Sequence, residues 1–167
     1  MPSVSSPEQQ EFLIGEAIRE AHLGVESGGS PIGCVIARVE GADLTILARG
    51  FNEGNLTGNA VSHAEMVALG RLRNSPGGPV VLATTLEPCL MCFGGCLCAG
   101  VSEIIYAQPA LGDFGASQVA LPADGLYATA NLVGGIREVE CHTMWREWMA
   151  EREGEDLSFI RRLLGYE

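Results

Sequence analysis

Four residues in two short motifs could together bind a metal ion and transfer a proton. His63 and Glu65 are two positions apart, and Cys89 and Cys92 form a Cys-x-x-Cys pair. Two thiolates at the first turn of a helix can point at one metal, and the amide dipoles there favour the thiolate form. One imidazole and two thiolates give three ligands, so a tetrahedral Zn²⁺ keeps its fourth position for water, as in catalytic sites. The sequence therefore predicts one Zn²⁺ per chain, held by His63, Cys89 and Cys92.

Glu65 is predicted to act on such a water. A carboxylate beside a zinc-bound water, whose pKa has fallen to about 7, can take its proton and pass it on. The sequence thus predicts Glu65 as the catalytic acid and base. The alternative is a zinc-stabilised binding or structural module without turnover, which would need no glutamate at position 65.

Both halves of this constellation are predicted to lie at helix starts on one edge of a sheet, because residues 66–87 suffice for one helix, a turn and one strand. Apolar runs predict strands over residues 32–38, 44–49, 79–85, 103–107 and 136–141. Helical spacing predicts helices over residues 7–26, with Ser6 as N-cap, and over 63–72, 89–99 and, with a break at Gly154, 144–164. Residues 108–135 are predicted as a loop with one short helix at 122–128. Alternating strands and helices predict a layered α/β domain.

Composition indicates one soluble domain over residues 1–167. Apolar residues make up 47% of the chain and charged residues 19%, which is enough for a buried core. The net charge is -11, and all ten basic residues are arginines without a concentrated cluster. Such a chain repels polyphosphate, and the absence of lysine excludes a Schiff-base or P-loop lysine. No signal segment or apolar span is apparent, so we expect a cytoplasmic protein without a membrane partner.

The His63-Ala64-Glu65 and Pro88-Cys89-x-x-Cys92 motifs resemble the zinc-dependent cytidine deaminase superfamily, whose signature they match. The resemblance extends over residues 12–107 and includes Pro31-x-Gly33 and the segment 85–94, which is similar to the branch that deaminates guanine, cytosine or adenosine in tRNA. Within this branch, we expect a nucleobase (guanine or cytosine) deaminase. It implies a three-layer α/β/α fold with a central mixed five-stranded sheet.

The same resemblance implies several substrate contacts. Asn52 occupies the place of the family's base-binding asparagine, and the Ala64 amide is placed to donate a hydrogen bond to the substrate. Asp113 and Phe114 follow the fourth predicted strand, where family members close over the base, so Phe114 could stack on a flat ring. Asn52 could instead be only a turn residue, and Phe114 a loop residue that covers the core.

The C-terminal helical segment, residues 142–167, is expected by resemblance to cover the active site of its own chain or of a dimer partner. Trp148 is its candidate substrate contact, and a surface role on the helix is the alternative. A homodimer is expected from the resemblance and from apolar residues of the last helix. The remaining cysteines are predicted to pack as small hydrophobic side chains: Cys34, Cys96, Cys98 and Cys141.

The resemblance implies a hydrolytic deaminase that releases ammonia from an exocyclic amine of a small free nucleobase or nucleoside. Segments 92–94 and 99–101 favour guanine or a related purine, whereas segment 28–33 is similar to cytosine deaminases; triazines and pterins stay open. Deamination of adenosine in tRNA is a further alternative. A nucleic-acid partner is not expected, because a phosphate backbone has to be held by Lys and Arg.

Overall fold

The computed structural model describes residues 3–73, 77–112, 114–120 and 130–166. Within these ranges, five strands form one sheet: β1 (Gly33–Glu40), β2 (Asp43–Phe51), β3 (Val80–Leu86), β4 (Glu103–Gln108) and β5 (Asn131–Val133). The helices of the same ranges are α1 (Pro7–Glu26), α2 (Gly54–Thr57), α3 (Ala64–Arg71), α4 (Leu90–Cys98), α5 (Glu138–Ala150) and α6 (Ser158–Leu164), with a 3-10 turn at Ala116–Gln118.

Helix α1 begins where the sequence predicts. The Ser6 side chain accepts a hydrogen bond from Gln9 N, the Gln9 side chain accepts one from Ser6 N, and Pro7 takes the first helical position. The apolar side chains from Leu13 to Ala21 are buried against the sheet, as their spacing of three and four residues predicts, whereas Phe12 is half exposed.

The strand order is β2-β1-β3-β4-β5. β1 pairs antiparallel with β2 and with β3, whereas β3, β4 and β5 run parallel. Helices α1 and α5 cover one face of the sheet, and α3 and α4 cover the other. The predicted three-layer α/β/α architecture with a mixed five-stranded sheet is therefore confirmed.

Two parallel strands bring the site together. Because β3 and β4 run in the same direction, their carboxyl ends meet at one edge of the sheet, directly before Pro88 and after Gln108. Helix α3 packs closely on the edge strand β2. A Cβ atom at Gly50 of β2 would come within 2.8 Å of Ala64 O and Ala68 N. The glycine therefore lets the first turn of α3 sit on the sheet.

The predicted strand at residues 136–141 is wrong. Arg137 caps α5 in a left-handed conformation (φ 56°), and the short strand β5 lies before it. Helical spacing already begins at Cys141 and continues through Met144 and Trp148, so burial of this stripe favours the helix. The predicted short helix at residues 122–128 lies outside the described residues.

The cysteines outside the Cys-x-x-Cys pair pack as predicted, with one exception. Cys34, Cys96 and Cys141 are buried, although Cys141 lies on α5 and not on a strand. Cys98 is exposed at the end of α4, because it falls on the helix face that points away from the sheet. No helix of the described ranges is long and apolar enough to span a bilayer.

Candidate active site

His63 and Cys89 occupy equivalent positions at the starts of two helices. His63 is the N-cap of α3 and Cys89 the N-cap of α4, both with extended backbone, and Cys92 lies in the first turn of α4. The His63 Nδ1 atom is 3.6 Å from Cys89 Sγ and 3.5 Å from Cys92 Sγ, and the two sulfurs are 3.7 Å apart. The fold thus gathers the three predicted ligands.

These separations fit a tetrahedral zinc ion. Zn–S bonds of about 2.3 Å and Zn–N bonds of about 2.0 Å place two sulfurs about 3.8 Å apart and a sulfur and a nitrogen about 3.5 Å apart. The contact between the two sulfurs, with help from His63, lowers the pKa of Cys89 to about 4. The same contact, together with burial, raises the pKa of Cys92. A bound cation favours the thiolate form of a coordinating thiol.

Glu65 lies in the first turn of α3 and is 3% exposed. Its Oε1 accepts a long hydrogen bond of 3.4 Å from Thr84 Oγ1 on β3. Burial, together with the charge of Cys89, raises the pKa of Glu65 more than hydrogen bonding and His63 lower it. The carboxyl group is therefore poorly solvated, and it opens onto the same cavity as two of the ligands.

That cavity has a volume of about 390 Å³. His63, Glu65 and Cys89 contribute to its lining, so a ligand inside it would reach both the candidate metal centre and the carboxyl group. Leu86 and Ala110 line it from the carboxyl ends of β3 and β4. This is the place where open α/β sheets commonly bind their ligands.

Asn52 lines the cavity, and both ends of its amide have partners. Its Nδ2 donates to Ser30 Oγ (2.9 Å), and its Oδ1 accepts from Gly54 N (3.0 Å). The side chain therefore forms the turn that leads into α2, as one interpretation of the sequence predicted, while it also borders the cavity.

Ala64 is fully buried at the first position of α3. An amide at this position has no partner within its own helix, so it is available to a ligand. The residues on either side of it, His63 and Glu65, both line the cavity.

Aromatic side chains form another wall of the cavity. Phe114 packs edge-to-face on Phe159 of α6, with ring centroids 5.4 Å apart, and both line the cavity. Trp148 lines it as well, but its Nε1 donates to Gly29 O (2.9 Å), so it offers an apolar ring and no free donor. Asp113 lies outside the described residues.

The sequence reasoning missed three polar side chains that line the cavity: Ser30, Asn55 and Glu155. Ser30 directly precedes the Pro31-x-Gly33 segment, and its place next to this segment could have indicated that it lines the cavity. Glu155 comes from the turn between α5 and α6, together with Asp156. Hydrogen bonds from Ser158 lower the pKa of Asp156, so this carboxylate is ionised near neutral pH. The resemblance offered Asp156 as one residue of the C-terminal segment that could cover the site, with a surface role as the alternative. Glu155 gives no sequence signal, because most acidic residues of the chain belong to a solvated surface.

Comparisons with known proteins agree with this geometry. Residues 7–108 match the family described as the cytidine and deoxycytidylate deaminase zinc-binding region. A tRNA-specific adenosine deaminase of Streptococcus pyogenes is 36% identical over 105 residues, which are 60% of this chain and 64% of that protein. The chain therefore matches less than two thirds of the length of this relative. One from Bacillus subtilis is 30% identical over 149 residues, which are 86% of this chain and 90% of that protein.

Among solved structures, guanine deaminase from Nitrosomonas europaea superimposes with a TM-score of 0.67 at 21% identity, over 84% of each chain. At this identity the likeness concerns the fold.

Proposed function

Because the chain belongs to the cytidine and deoxycytidylate deaminase family, we propose that it is a zinc-dependent hydrolase that releases ammonia from a small heterocyclic amine. The proposed substrate is a free nucleobase or nucleoside, with guanine or a related purine preferred. The observation that carries this proposal is that His63, Cys89 and Glu65 all line one cavity of about 390 Å³.

His63, Cys89 and Cys92 would hold the zinc ion. When bound, Zn²⁺ lowers the pKa of water and makes it a nucleophile near neutral pH. Glu65 takes one proton from the attacking water at its carboxylate and gives it to a ring nitrogen. It then takes the second proton from the hydroxyl group that has been added to the ring and gives it to the departing amine, so that a carbonyl group and ammonia are formed. The Ala64 amide donates a hydrogen bond to the substrate, where negative charge develops.

The α5–α6 segment closes the cavity of its own chain in this proposal. Trp148, Phe159 and Leu163 cover the cavity, and Phe114 completes the wall. A flat ring bound here stacks on apolar side chains and is shielded from bulk water. The single domain over residues 1–167 and a cytoplasmic location remain predictions. A homodimer does too, supported by the exposed side chains of Val139 and Phe159.

Charge supports a free base over a polynucleotide. Glu155 and Asp156 line the cavity, and the whole chain carries -11. Two carboxylates attract a ring edge rich in N–H donors, such as that of guanine, and they repel a phosphate backbone.

A second candidate is adenosine in tRNA, the substrate class that the names of the streptococcal and Bacillus relatives print. One surface feature favours it. A groove of about 580 Å³ between α5 and α6 is lined by Arg146, Arg152 and Arg161, although Glu153 and Glu155 line it too. The fold thus gathers three arginines that are dispersed in the sequence, next to the cavity.

A screen of ammonia release separates the candidates. The substrates are guanine, cytosine, adenine, their nucleosides, an aminated triazine, and an anticodon stem-loop with adenosine at the wobble position. We expect turnover of a free purine base by protein that carries about one zinc per chain. Turnover of the stem-loop alone, with a steep salt dependence, would establish the second candidate instead.

Two matched cysteine variants test the metal centre. Cys92→Ser should lose zinc and activity, whereas Cys98→Ser, which changes an exposed cysteine of the same helix, should keep both. Zinc bound to a chain that releases ammonia from no amine would support the non-catalytic module.

A further inference from the structure

Glu87 is a buried carboxylate between β3 and the ligand Cys89. It is 4% exposed, and its backbone N donates to Gln108 O, which continues the pairing of β3 with β4. Its Oε2 accepts a hydrogen bond from Ala110 N (2.9 Å), and its Oε1 accepts one from Ser117 N (2.8 Å). Both carboxylate oxygens therefore bind backbone amides of the segment that follows β4.

This segment, residues 110–112 and 114–117, is called the clamp loop below. The clamp loop also contacts the turn Pro88–Cys89, which carries the predicted ligand, at two points. Gly115 forms an antiparallel bridge with Cys89, and Ala116 N donates to Pro88 O (2.8 Å). Gly115 leaves the space that the carboxylate fills, since a Cβ there would lie 2.6 Å from Glu87 Oε2.

The hydrogen bonds of Glu87 lead to the cavity wall at Ala110 and to the exposed residue Ser117. Ala110 and Phe114 of the clamp loop line the cavity, and Cys89 lines it from the other side. Within the described ranges, no arginine forms an ion pair with Glu87. The two amides are therefore the partners that satisfy its carboxylate, and removal of one oxygen acceptor leaves either the buried N–H of Ala110 or the half-buried N–H of Ser117 unpaired.

We propose that Glu87 is a positioning residue, which sets the place of the Phe114 wall relative to the Cys89 turn. It touches neither the reacting atoms nor the metal, and it acts through the backbone of the clamp loop. The kinetic part of this inference rests on the proposed function, whereas the clamp itself is a property of the fold.

Glu103 provides a matched control. It is also a buried glutamate that accepts backbone amide hydrogen bonds, from Val4 N and Ser5 N, but it lies at the amino end of β4, away from the cavity. A merely stabilising role for Glu87 predicts the same changes of KM and kcat for Glu87→Gln and Glu103→Gln. A positioning role predicts a higher KM for Glu87→Gln only.

Hydrogen exchange tests the clamp without any substrate. In zinc-loaded Glu87→Gln, exchange of the clamp-loop amides should accelerate about tenfold or more, and in Glu103→Gln it should stay as in the wild type. Gly115→Ala pushes on the carboxylate without removing it and should accelerate the same amides. Gly94→Ala, where the added Cβ meets open space, should not. Unchanged exchange in both Glu87→Gln and Gly115→Ala would overturn the proposal.

Kinetics test the positioning role with whichever amine the screen identifies. Glu87→Gln should raise KM about tenfold and lower kcat less, because the aromatic wall is displaced while Glu65 and the ligands remain. In a Phe114→Ala background the same substitution should change KM less than about twofold, because the two residues act through one loop. The positioning role would be refuted if the effects of Glu87→Gln and Phe114→Ala on KM were additive. It would also be refuted if Glu87→Gln had the same KM as Glu103→Gln. If the wild type deaminates nothing, the proposed function fails, and hydrogen exchange still decides the clamp.

Discussion

Glu65 and Glu103 are both almost completely buried, but they lie at opposite ends of the sheet and in different environments. Glu103, at the amino end of β4, accepts hydrogen bonds from Ser3, Val4, Ser5 and Asn131. Glu65, at the carboxyl end of the parallel strands, accepts one long hydrogen bond from a side chain, that of Thr84. The pKa of Glu103 is lowered and that of Glu65 is raised.

Burial alone therefore does not decide what a carboxyl group does. Several donors stabilise the ionised form, so Glu103 is held as an anion that fastens the N-terminal segment to the sheet. At Glu65, the hydrogen bonds do not offset the effect of burial, so its pKa is raised, as is typical of groups proposed to transfer protons. The comparison distinguishes a carboxylate that fastens a chain segment from the carboxyl group proposed to transfer protons, by the hydrogen bonds that each accepts.

The largest effect is expected for Glu65→Gln. The amide fills the same space but cannot shuttle protons, so kcat should fall by about 10²- to 10⁴-fold. The zinc content should stay near that of the wild type, because Glu65 is not one of the three predicted ligands. Ammonia release, together with metal analysis of the same sample, measures both quantities.

Glu103→Gln is the control for this loss. Its site is remote from the cavity, so kcat should change by less than about twofold. Equal loss of activity in the two variants would mean that the difference between the two carboxyl groups does not concern catalysis.

The ligand set was predictable from the sequence because local rules govern it. His63 and Cys89 are each an extended N-cap directly before a helix, and Cys92 follows Cys89 at a fixed helical offset, so spacing determines their local geometry. The order of helices and strands up to β4 followed from periodicity for the same reason, except for the short helix α2, which lies in a stretch predicted as a polar loop.

The rest of the site depends on contacts that spacing does not encode. Phe159 reaches Phe114 only after α5 and α6 have folded back over the carboxyl ends of β3 and β4. Glu87 and Glu103 are both acidic residues at strand ends, and only their buried donors distinguish them from solvated ones. Residues 136–141 were misassigned because their short apolar pattern fits a strand, while burial of Cys141 and Trp148 on one stripe favours α5.

A smaller effect, on stability, is expected for Glu103→Gln. The neutral amide gives up an acceptor oxygen and leaves part of the donors from Val4, Ser5 and Asn131 unpaired, so the free energy of unfolding should fall by about 1–3 kcal/mol. Urea denaturation of the zinc-loaded protein measures it. Glu147→Gln, at an exposed position of α5, should stay within about 0.5 kcal/mol of the wild type. A loss no greater than that of Glu147→Gln would contradict the structural role of Glu103.

The smallest expected effect is the pH dependence of the difference in unfolding free energy between the wild type and Glu103→Gln. Burial raises the pKa of Glu103, but the hydrogen bonds from Ser3, Ser5 and Asn131 outweigh it, so the folded-state pKa lies below the model-peptide value of 4.5. A carboxyl group with a lowered pKa stabilises the fold above its unfolded-state pKa, and this contribution is lost as the pH falls through the folded-state pKa. The gap in unfolding free energy between wild type and Glu103→Gln should therefore be constant between about pH 6 and 8 and narrow below about pH 4. Urea midpoints at pH 7 and at pH 3.5 measure this change. A gap that stays the same at both values would mean that Glu103 stabilises the N-terminal segment equally well as a neutral acid, and the contrast with Glu65 would then not be one of charge.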